Sequence, residues 1–145
     1  MLKELIITIL SQHMMLNDLI IKTQQQKVMS SPLTTHVLDT SAGSPARQLP
    51  VKVFYENIPA SNTWTLVAIG ATNGDGRVPN LLTQEKFKPG HYKIMFDTET
   101  YFKSLDIKEY FYPYVEIIFI IKDSSQHYHV PLLLSPFGYS TYRGS

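Results

Sequence analysis

The sequence of 145 residues contains no cysteine, so it offers neither a disulfide framework nor a thiolate that binds metal or acts as a nucleophile. Charged residues are also scarce, at 17%, and they nearly cancel to a net charge of +1. This balance gives no electrostatic reason to expect nucleic acid or an anionic membrane as a partner. The G-x-S-x-G, phosphate-loop and H-E-x-x-H motifs are missing as well. What is present is an ordinary hydrophobic content of 43% over a length that suits one domain.

The N-terminal residues differ in character from the rest of the chain. Leucine and isoleucine recur at helical spacing between Leu2 and Ile20. Charged residues interrupt the apolar runs well before the roughly 20 residues that a membrane-spanning helix needs. No small-residue cleavage site of a signal peptide follows. We therefore predict that residues 1–30 form a weakly ordered helical extension outside the fold, with a targeting helix or a membrane-touching helix as the alternative.

From Ser31 onward the sequence predicts short strands separated by turns. The predicted strands are PLTTHVLDT, PVKVFYE, TWTLVAIGAT, HYKIMFDT, YVEIIFIIKD, HYHVPLLLS and GYSTYRG. The turn sequences include NGDGR, in which Asn-Gly and Asp-Gly both favour positive φ. One short helix is predicted in TETYFKSLDI, with Thr98 or Thr100 as its cap. Seven to eight strands at this spacing are typical of an antiparallel sandwich, so residues 31–145 are predicted to form one all-β domain.

The strand YVEIIFIIKD is apolar on both faces. One face carries Val115, Ile117, Phe119 and Ile121, and the other carries Tyr114, Glu116, Ile118 and Ile120. A sandwich strand normally has one solvated face, and an exposed apolar patch of this size usually marks an interface. We therefore predict that a loop or another subunit covers the outer face, and we favour an oligomer formed through sheet faces or edges.

With His13 and His91 set aside, three of the five histidines remain, and all three lie on predicted strands. His36 lies on the first strand, and His127 and His129 share one face of the penultimate strand because they are two residues apart. His13 and His91 lie in the extension and beside a Pro-Gly turn, where surface residues are expected. The H-x-H pair allows three interpretations: a zinc site without an apparent third ligand, polar residues facing a channel, or acid–base catalysts.

Arg77 directly follows NGDG, so a tight turn places its backbone. A surface arginine is the default for such a turn. A guanidinium fixed on a rigid turn is also well suited to a planar, oxygen-rich ligand, because its donors form a fork. Spacing alone does not bring His36, Arg77 and His129 together. The residues by themselves therefore support only a histidine-rich site on a sandwich.

Four segments strongly resemble the 5-hydroxyisourate hydrolases, the transthyretin-like enzymes of urate breakdown: SSPLTTHVLDT, NGDGR, FYPYVEI and HYHVPLLLSPFGYSTYRGS. The resemblance runs from about Ser31 to Ser145, and the terminal YRGS is the hallmark of that family. It implies a transthyretin-like antiparallel β-sandwich that assembles as a homotetramer, a dimer of dimers, with active sites in a channel between dimers. We expect no cofactor and no metal.

Carried over by motif, the catalytic residues of that family fall on His36 in TTHVLD, Arg77 in DGR, His129 in HVPLLL and Ser145 at the end of YRGS. The residues that the resemblance implies for substrate binding are Arg77, Tyr142 and Ser145, with His127 as a neighbour.

The reaction that the resemblance implies is hydrolysis of a cyclic amide, the N1–C6 bond of 5-hydroxyisourate, to give 2-oxo-4-hydroxy-4-carboxy-5-ureidoimidazoline. We favour His129 as the base that activates water, with His36 assisting. Arg77 would orient the substrate and stabilise the charged oxygen. Ser145 would add its hydroxyl or a terminal carboxylate. The alternative is a carrier of thyroid hormone without enzymatic activity, like transthyretin, which is secreted and lacks the YRGS tetrapeptide.

The resemblance also bears on localisation. Eukaryotic relatives often reside in peroxisomes through an N-terminal nonapeptide, but in KVMSSPLTTH the histidine arrives one position late. The ending RGS is not the C-terminal peroxisomal address either. We therefore expect the protein in the cytosol or the peroxisome, and we do not expect secretion.

Overall fold

The computed structural model of the protein describes residues 1–26 and 31–145. Its contacts divide the chain into two compact units, residues 1–30 and residues 31–145. The first unit contains the helix α1 (Leu2–Gln26), whose side chains up to residue 20 are exposed. Among the described residues, no helix is long and apolar enough to cross a membrane. Part of the segment considered as a targeting nonapeptide, residues 27–30, lies outside the described residues.

Residues 31–145 contain ten short strands. They are β1 (Leu33–Thr34), β2 (Val37–Asp39), β3 (Ser44–Pro45), β4 (Pro50–Glu56), β5 (Trp64–Ala71), β6 (Gly90–Phe96), β7 (Val115–Ile121), β8 (Tyr128–His129), β9 (Leu132–Ser135) and β10 (Gly138–Thr141). One sheet has the strand order β5-β4-β6-β7 and is antiparallel throughout. The other has the order β10-β9-β2-β3, and the pair β1–β8 continues the β2–β9 pairing in the same register.

The two sheets bury one common hydrophobic core. Val51 and Val53 of β4 are fully buried in the same cluster as Leu132 and Leu134 of β9. These residues alternate along their strands because successive side chains of a strand point to opposite faces of the sheet. The predicted all-β sandwich is therefore confirmed.

Two strand pairings are parallel, whereas the sequence predicted an antiparallel sandwich: β1 pairs with β8, and β2 with β9. The first predicted strand is also divided, at Thr35 and His36. In a continuous ladder the carbonyl of Val130 would accept from a backbone amide. Here it accepts instead from the side-chain hydroxyl of Thr35, at 2.7 Å. The strand is interrupted here, and His36 forms a bridge to Arg77 on its other side.

The predicted short helix is present as α2 (Thr98–Ser104), but its cap is Asp97 rather than Thr98 or Thr100. One carboxylate oxygen of Asp97 accepts from the amide of Thr100 at 3.0 Å, and the other accepts from the hydroxyl of Thr100 at 2.8 Å. Aspartate caps a helix well because its carboxylate accepts hydrogen bonds from the unpaired amides of the first turn.

Strand β7 lies at the edge of its sheet and has the predicted apolar outer face. Val115 and Ile117 are buried in the core, whereas Ile118 and Ile120 are 60% and 54% exposed. Two large aliphatic side chains next to an unpaired strand edge are costly to leave in water. This face is therefore available for a partner.

Candidate active site

Residues 73–77 form a tight turn that positions Arg77. The side-chain oxygen of Asn73 accepts from the amides of Asp75 and Arg77 at 2.9 and 3.1 Å. Gly76 has a φ of 74°, which glycine adopts without steric cost. Positive φ was predicted for both glycines of NGDGR, but Gly74 does not adopt it.

This turn packs against the segment that carries His36. The amide of Val37 donates to the carbonyl of Gly76 at 2.8 Å, and His36 pairs with Arg77 in an antiparallel bridge. A Cβ atom at Gly76 would lie only 2.5 Å from the carbonyl oxygen of Val37 and 3.2 Å from Cδ2 of His36. Glycine is therefore the residue that allows this approach, and it brings His36 and Arg77 side by side.

A threonine that the sequence analysis did not identify joins the other two histidines. Oγ1 of Thr34 lies 2.9 Å from Nε2 of His127 and 2.8 Å from Nδ1 of His129. Thr34 lies opposite His129 in the parallel register of β1 and β8. The two imidazole rings are nearly parallel, with an angle of 18° and centroids 6.4 Å apart. His127 is exposed and His129 is half-buried.

The C-terminal residues also reach His129. Strand β10 ends at Thr141, which pairs with Leu132 of β9. The next residue on the partner side is Pro131, which has no backbone amide hydrogen with which to continue the ladder. The pairing resumes at Gly144, whose amide donates to the carbonyl of His129 at 2.9 Å. Ser145 follows directly and is exposed. The structure thus places the backbone of Ser145 within one residue of the bridge to His129.

Burial and nearby charges act together on His129. Burial lowers the pKa of its imidazole below the ordinary value, and the positive charge of Arg77, together with His127 and His36, lowers this pKa further. A hydrogen bond with the backbone of Thr34 acts in the opposite direction. His129 is therefore neutral at pH 7 and has a ring nitrogen able to accept a proton.

A cavity of about 240 Å³ opens beside His129. Apolar side chains of β7, among them Phe119 and Ile120, form one wall, and Tyr142 and Arg143 form part of another. The guanidinium of Arg143 lies 4.8 Å from the centre of the Tyr128 ring and forms a cation–π contact with it. The predicted residue Tyr142 thus lines this cavity, whereas His36 and Arg77 are not part of its lining.

The other two histidines, His13 and His91, have different surroundings. His13 is exposed on α1, as predicted. His91 is half-buried rather than a simple surface residue, and its Nδ1 lies 2.6 Å from a carboxylate oxygen of the buried Glu56. Within residues 1–26 and 31–145, no group of three metal-ligating side chains is found, so the H-x-H pair has no third ligand there.

Comparisons with known proteins show the family to which the chain belongs. The sequence model of the HIUase/Transthyretin family matches residues 33–144. The 5-hydroxyisourate hydrolase of Mus musculus is 53% identical over 116 residues, which cover 80% of this chain and 97% of the mouse protein. A probable 5-hydroxyisourate hydrolase of Caenorhabditis elegans is 43% identical over 121 residues, which cover 83% and 87% of the two chains.

The fold is similar to that of solved structures. The crystal structure of sea bream transthyretin in complex with thyroxine matches with a TM-score of 0.72 and 34% sequence identity, over 78% of this chain and 94% of the transthyretin chain. The predicted transthyretin-like fold is thereby confirmed. With a family match over most of its length and relatives above 40% identity, the chain belongs to the HIUase/Transthyretin family.

Proposed function

We propose that this protein hydrolyses 5-hydroxyisourate to 2-oxo-4-hydroxy-4-carboxy-5-ureidoimidazoline, a step of urate degradation. The observation that carries the proposal is a pair of β-bridges: one joins His36 to Arg77, and the other joins His129 to Gly144, next to Ser145. The bridges put His36 beside Arg77 and the C-terminal segment beside His129, and the charge of Arg77 acts on His129, which supports a common site. The names of the mouse and nematode relatives point to the same substrate.

His129 is the base in this proposal. Water attacks the carbonyl carbon of the N1–C6 amide and loses a proton to the imidazole. The lowered pKa of His129 keeps the ring neutral at physiological pH, as a base must be. Thr34 engages Nδ1, so Nε2 is the nitrogen left to accept the proton. General-base catalysis of this kind typically contributes about 10²–10⁴-fold in rate.

Arg77 and His36 act on the other side of the reacting bond. Attack by water places negative charge on the carbonyl oxygen, and the planar guanidinium of Arg77 donates hydrogen bonds to it. His36, beside Arg77, supplies a proton to the leaving nitrogen as the C–N bond breaks. The water oxygen remains in the new carboxyl group, which then ionises. The hydroxyl of Ser145 adds a hydrogen bond to the substrate, and Tyr142 and His127 border it.

We also propose that the protein is a homotetramer, a dimer of dimers, with its sites between dimers. The exposed apolar face of β7 supports this, because Ile118 and Ile120 would be buried by a second subunit. Ile120 also lines the cavity beside His129, so a subunit that covers this face would close the cavity. Light scattering coupled to gel filtration tests the assembly, and a monomeric mass would contradict it.

Residues 1–30 are, in this proposal, an extension that hydrolysis does not need, and the protein works in the cytosol or the peroxisome. The extension forms a separate unit, and the family match begins only at residue 33. Fluorescence microscopy of the protein tagged after residue 30, with and without the extension, tests the location. Retention in the secretory pathway would contradict it.

The deciding experiment supplies the purified protein with freshly generated 5-hydroxyisourate and follows its ultraviolet absorbance. We expect decay much faster than in buffer alone. The other candidate is a carrier, which the sea bream structure with thyroxine motivates. Titration calorimetry with thyroxine tests it. Decay no faster than in buffer, together with tight thyroxine binding, would replace the hydrolase proposal by the carrier.

A further inference from the structure

Thr34 makes two hydrogen bonds with one hydroxyl group. Its Oγ1 lies 2.9 Å from Nε2 of His127 and 2.8 Å from Nδ1 of His129, and both distances are within the normal range. A threonine hydroxyl carries one hydrogen. It can therefore donate to only one of the two imidazoles, and at least one ring must donate its own N–H to the hydroxyl, so the protonation of the two rings is coupled.

The backbone holds this hydroxyl in place. Thr34 lies directly opposite His129 in the β1–β8 register, and its carbonyl accepts from the amide of Val130 at 2.9 Å. The next residue, Thr35, donates its own hydroxyl to the carbonyl of Val130. Bonds on both sides of Val130 thus fix the segment that presents the Thr34 hydroxyl.

The direction of the hydrogen bonds decides what His129 can do. If the Thr34 hydroxyl donates to His127, then His129 carries its single proton on Nδ1, and the lone pair on Nε2 is free. In the opposite direction, Nε2 of His129 carries the proton and the ring has no free lone pair. Only the first direction allows His129 to take a proton from water.

We propose that Thr34 is a positioning residue that holds His129 as the Nδ1–H tautomer, and that His127 supplies the acceptor that fixes the direction of the Thr34 hydroxyl. The role in catalysis rests on the proposed hydrolysis of 5-hydroxyisourate. The tautomer, however, is a property of the resting protein and can be measured without substrate.

Other charged groups around His129 set the background for this measurement. Arg77 and His36 act on it from the turn and from the first strand, and His127 from its own segment. Arg143 is held elsewhere, over the Tyr128 ring, and its Nη2 donates to the side-chain oxygen of Gln126 at 3.3 Å.

Substitution of Thr34 gives the first test. Long-range ¹H–¹⁵N NMR of histidine-labelled wild-type protein is expected to show His129 protonated on Nδ1. In Thr34→Val the partner of Nδ1 is lost, and we expect the Nε2–H tautomer to appear. We expect kcat to fall at least about tenfold, with KM little changed, as part of the roughly 10²–10⁴-fold that a general base contributes.

The pH profile adds a readout that a merely structural role would not move. In the proposed direction the Thr34 hydroxyl accepts from Nδ1–H and also stabilises the protonated imidazole, so its removal is expected to lower the pKa of His129. The acid limb of the kcat/KM profile should therefore move to lower pH in Thr34→Val. Thr34→Ser keeps the hydroxyl and should restore the wild-type tautomer and profile. Thr40→Val is the matched control, because the Thr40 hydroxyl donates only to the carbonyl of Leu134.

His127→Ala gives the second test. Without the acceptor, the Thr34 hydroxyl turns to Nδ1 of His129, so we expect the Nε2–H tautomer and a fall in kcat that is not additive with Thr34→Val. A wild-type His129 protonated on Nε2, or a Thr34→Val variant with unchanged tautomer and acid limb, would overturn the proposal. If Thr34→Val does not fold, the wild-type spectrum and the His127→Ala variant, in which the substituted residue is exposed, test the proposal. A wild-type protein that shows the Nδ1–H tautomer but no hydrolysis would overturn the proposed function instead.

Discussion

Gly144→Ala tests whether the C-terminal segment positions His129. A Cβ atom at Gly144 would lie 2.4 Å from Cδ2 of the imidazole and 3.1 Å from its Cγ. Carbon atoms pack at about 3.5–4.0 Å, so the ring or the segment must move by about 1 Å. Gly144 does not have a positive φ, so alanine meets no backbone strain there. The three atoms nearest to the added Cβ all belong to His129, so the perturbation acts on this side chain.

The expected effect is large on catalysis and small on stability. Displacing a catalytic group by about 1 Å costs about 10²-fold in rate, which corresponds to about 2.7 kcal/mol of transition-state stabilisation. The bridge lies outside the hydrophobic core, and substitutions away from the core usually change the free energy of unfolding by less than about 0.5 kcal/mol. The variant should therefore unfold at nearly the temperature of the wild type.

The assay measures kcat and KM from the decay of 5-hydroxyisourate absorbance, and calorimetry measures the unfolding temperature. Gly138→Ala is the matched control, because a Cβ atom there would meet its nearest neighbour, Oγ of Ser135, at an ordinary 3.7 Å. If Gly144→Ala were as active as Gly138→Ala, the C-terminal segment would not position His129. If activity and unfolding temperature fell together, the segment would have a structural role.

Three further substitutions or deletions separate catalysis from stability. His129→Asn should lower kcat by about 10²–10⁴-fold with unchanged circular dichroism, because a neutral amide cannot accept the proton; near-normal turnover would refute its role. Removal of residues 1–30 should leave kcat/KM unchanged in the same assay, and a large loss would show that the extension belongs to the site. Tyr101→Phe should cost about 1.5–3 kcal/mol of unfolding free energy at pH 7, because its hydroxyl donates to the buried carboxylate of Asp39 at 2.8 Å. Burial raises the pKa of Asp39, but its hydrogen bonds outweigh burial and the pKa is lowered overall. The stabilisation is therefore present above about pH 3.9 and is lost as the pH falls further. If the loss of unfolding free energy in Tyr101→Phe did not shrink in acid, this reasoning would be contradicted.

The features of the fold that depend on local pattern were predictable from the sequence. Alternation along YVEIIFIIKD predicted that Ile118 and Ile120 lie on an outer face, and both are exposed. Turn chemistry predicted the positive φ of Gly76. These predictions succeed because a side chain's face and a turn's φ depend on residues only one to four positions away.

The features that depend on distant partners were not predictable. The residue pattern of PLTTHVLDT does not depend on whether the neighbouring strand is parallel or antiparallel. The parallel pairing of β1 with β8 was therefore not predicted. For the same reason Thr34 was missed, because a threonine on a strand is unremarkable until the register places it between His127 and His129. The cap at Asp97, by contrast, could have been predicted from the sequence, because aspartate is among the strongest capping residues.

The hydrogen bond from Gly144 to His129 also has a consequence for how the protein loses activity on warming. The amides of the buried residues Val130 and Leu132 belong to a ladder between strands, so we expect them to exchange with solvent only when the sandwich opens. The Gly144 amide lies among exposed residues and opens by local fraying, at a much lower free energy. Turnover should thus fade at temperatures where the circular dichroism spectrum is still native, and cooling should bring it back.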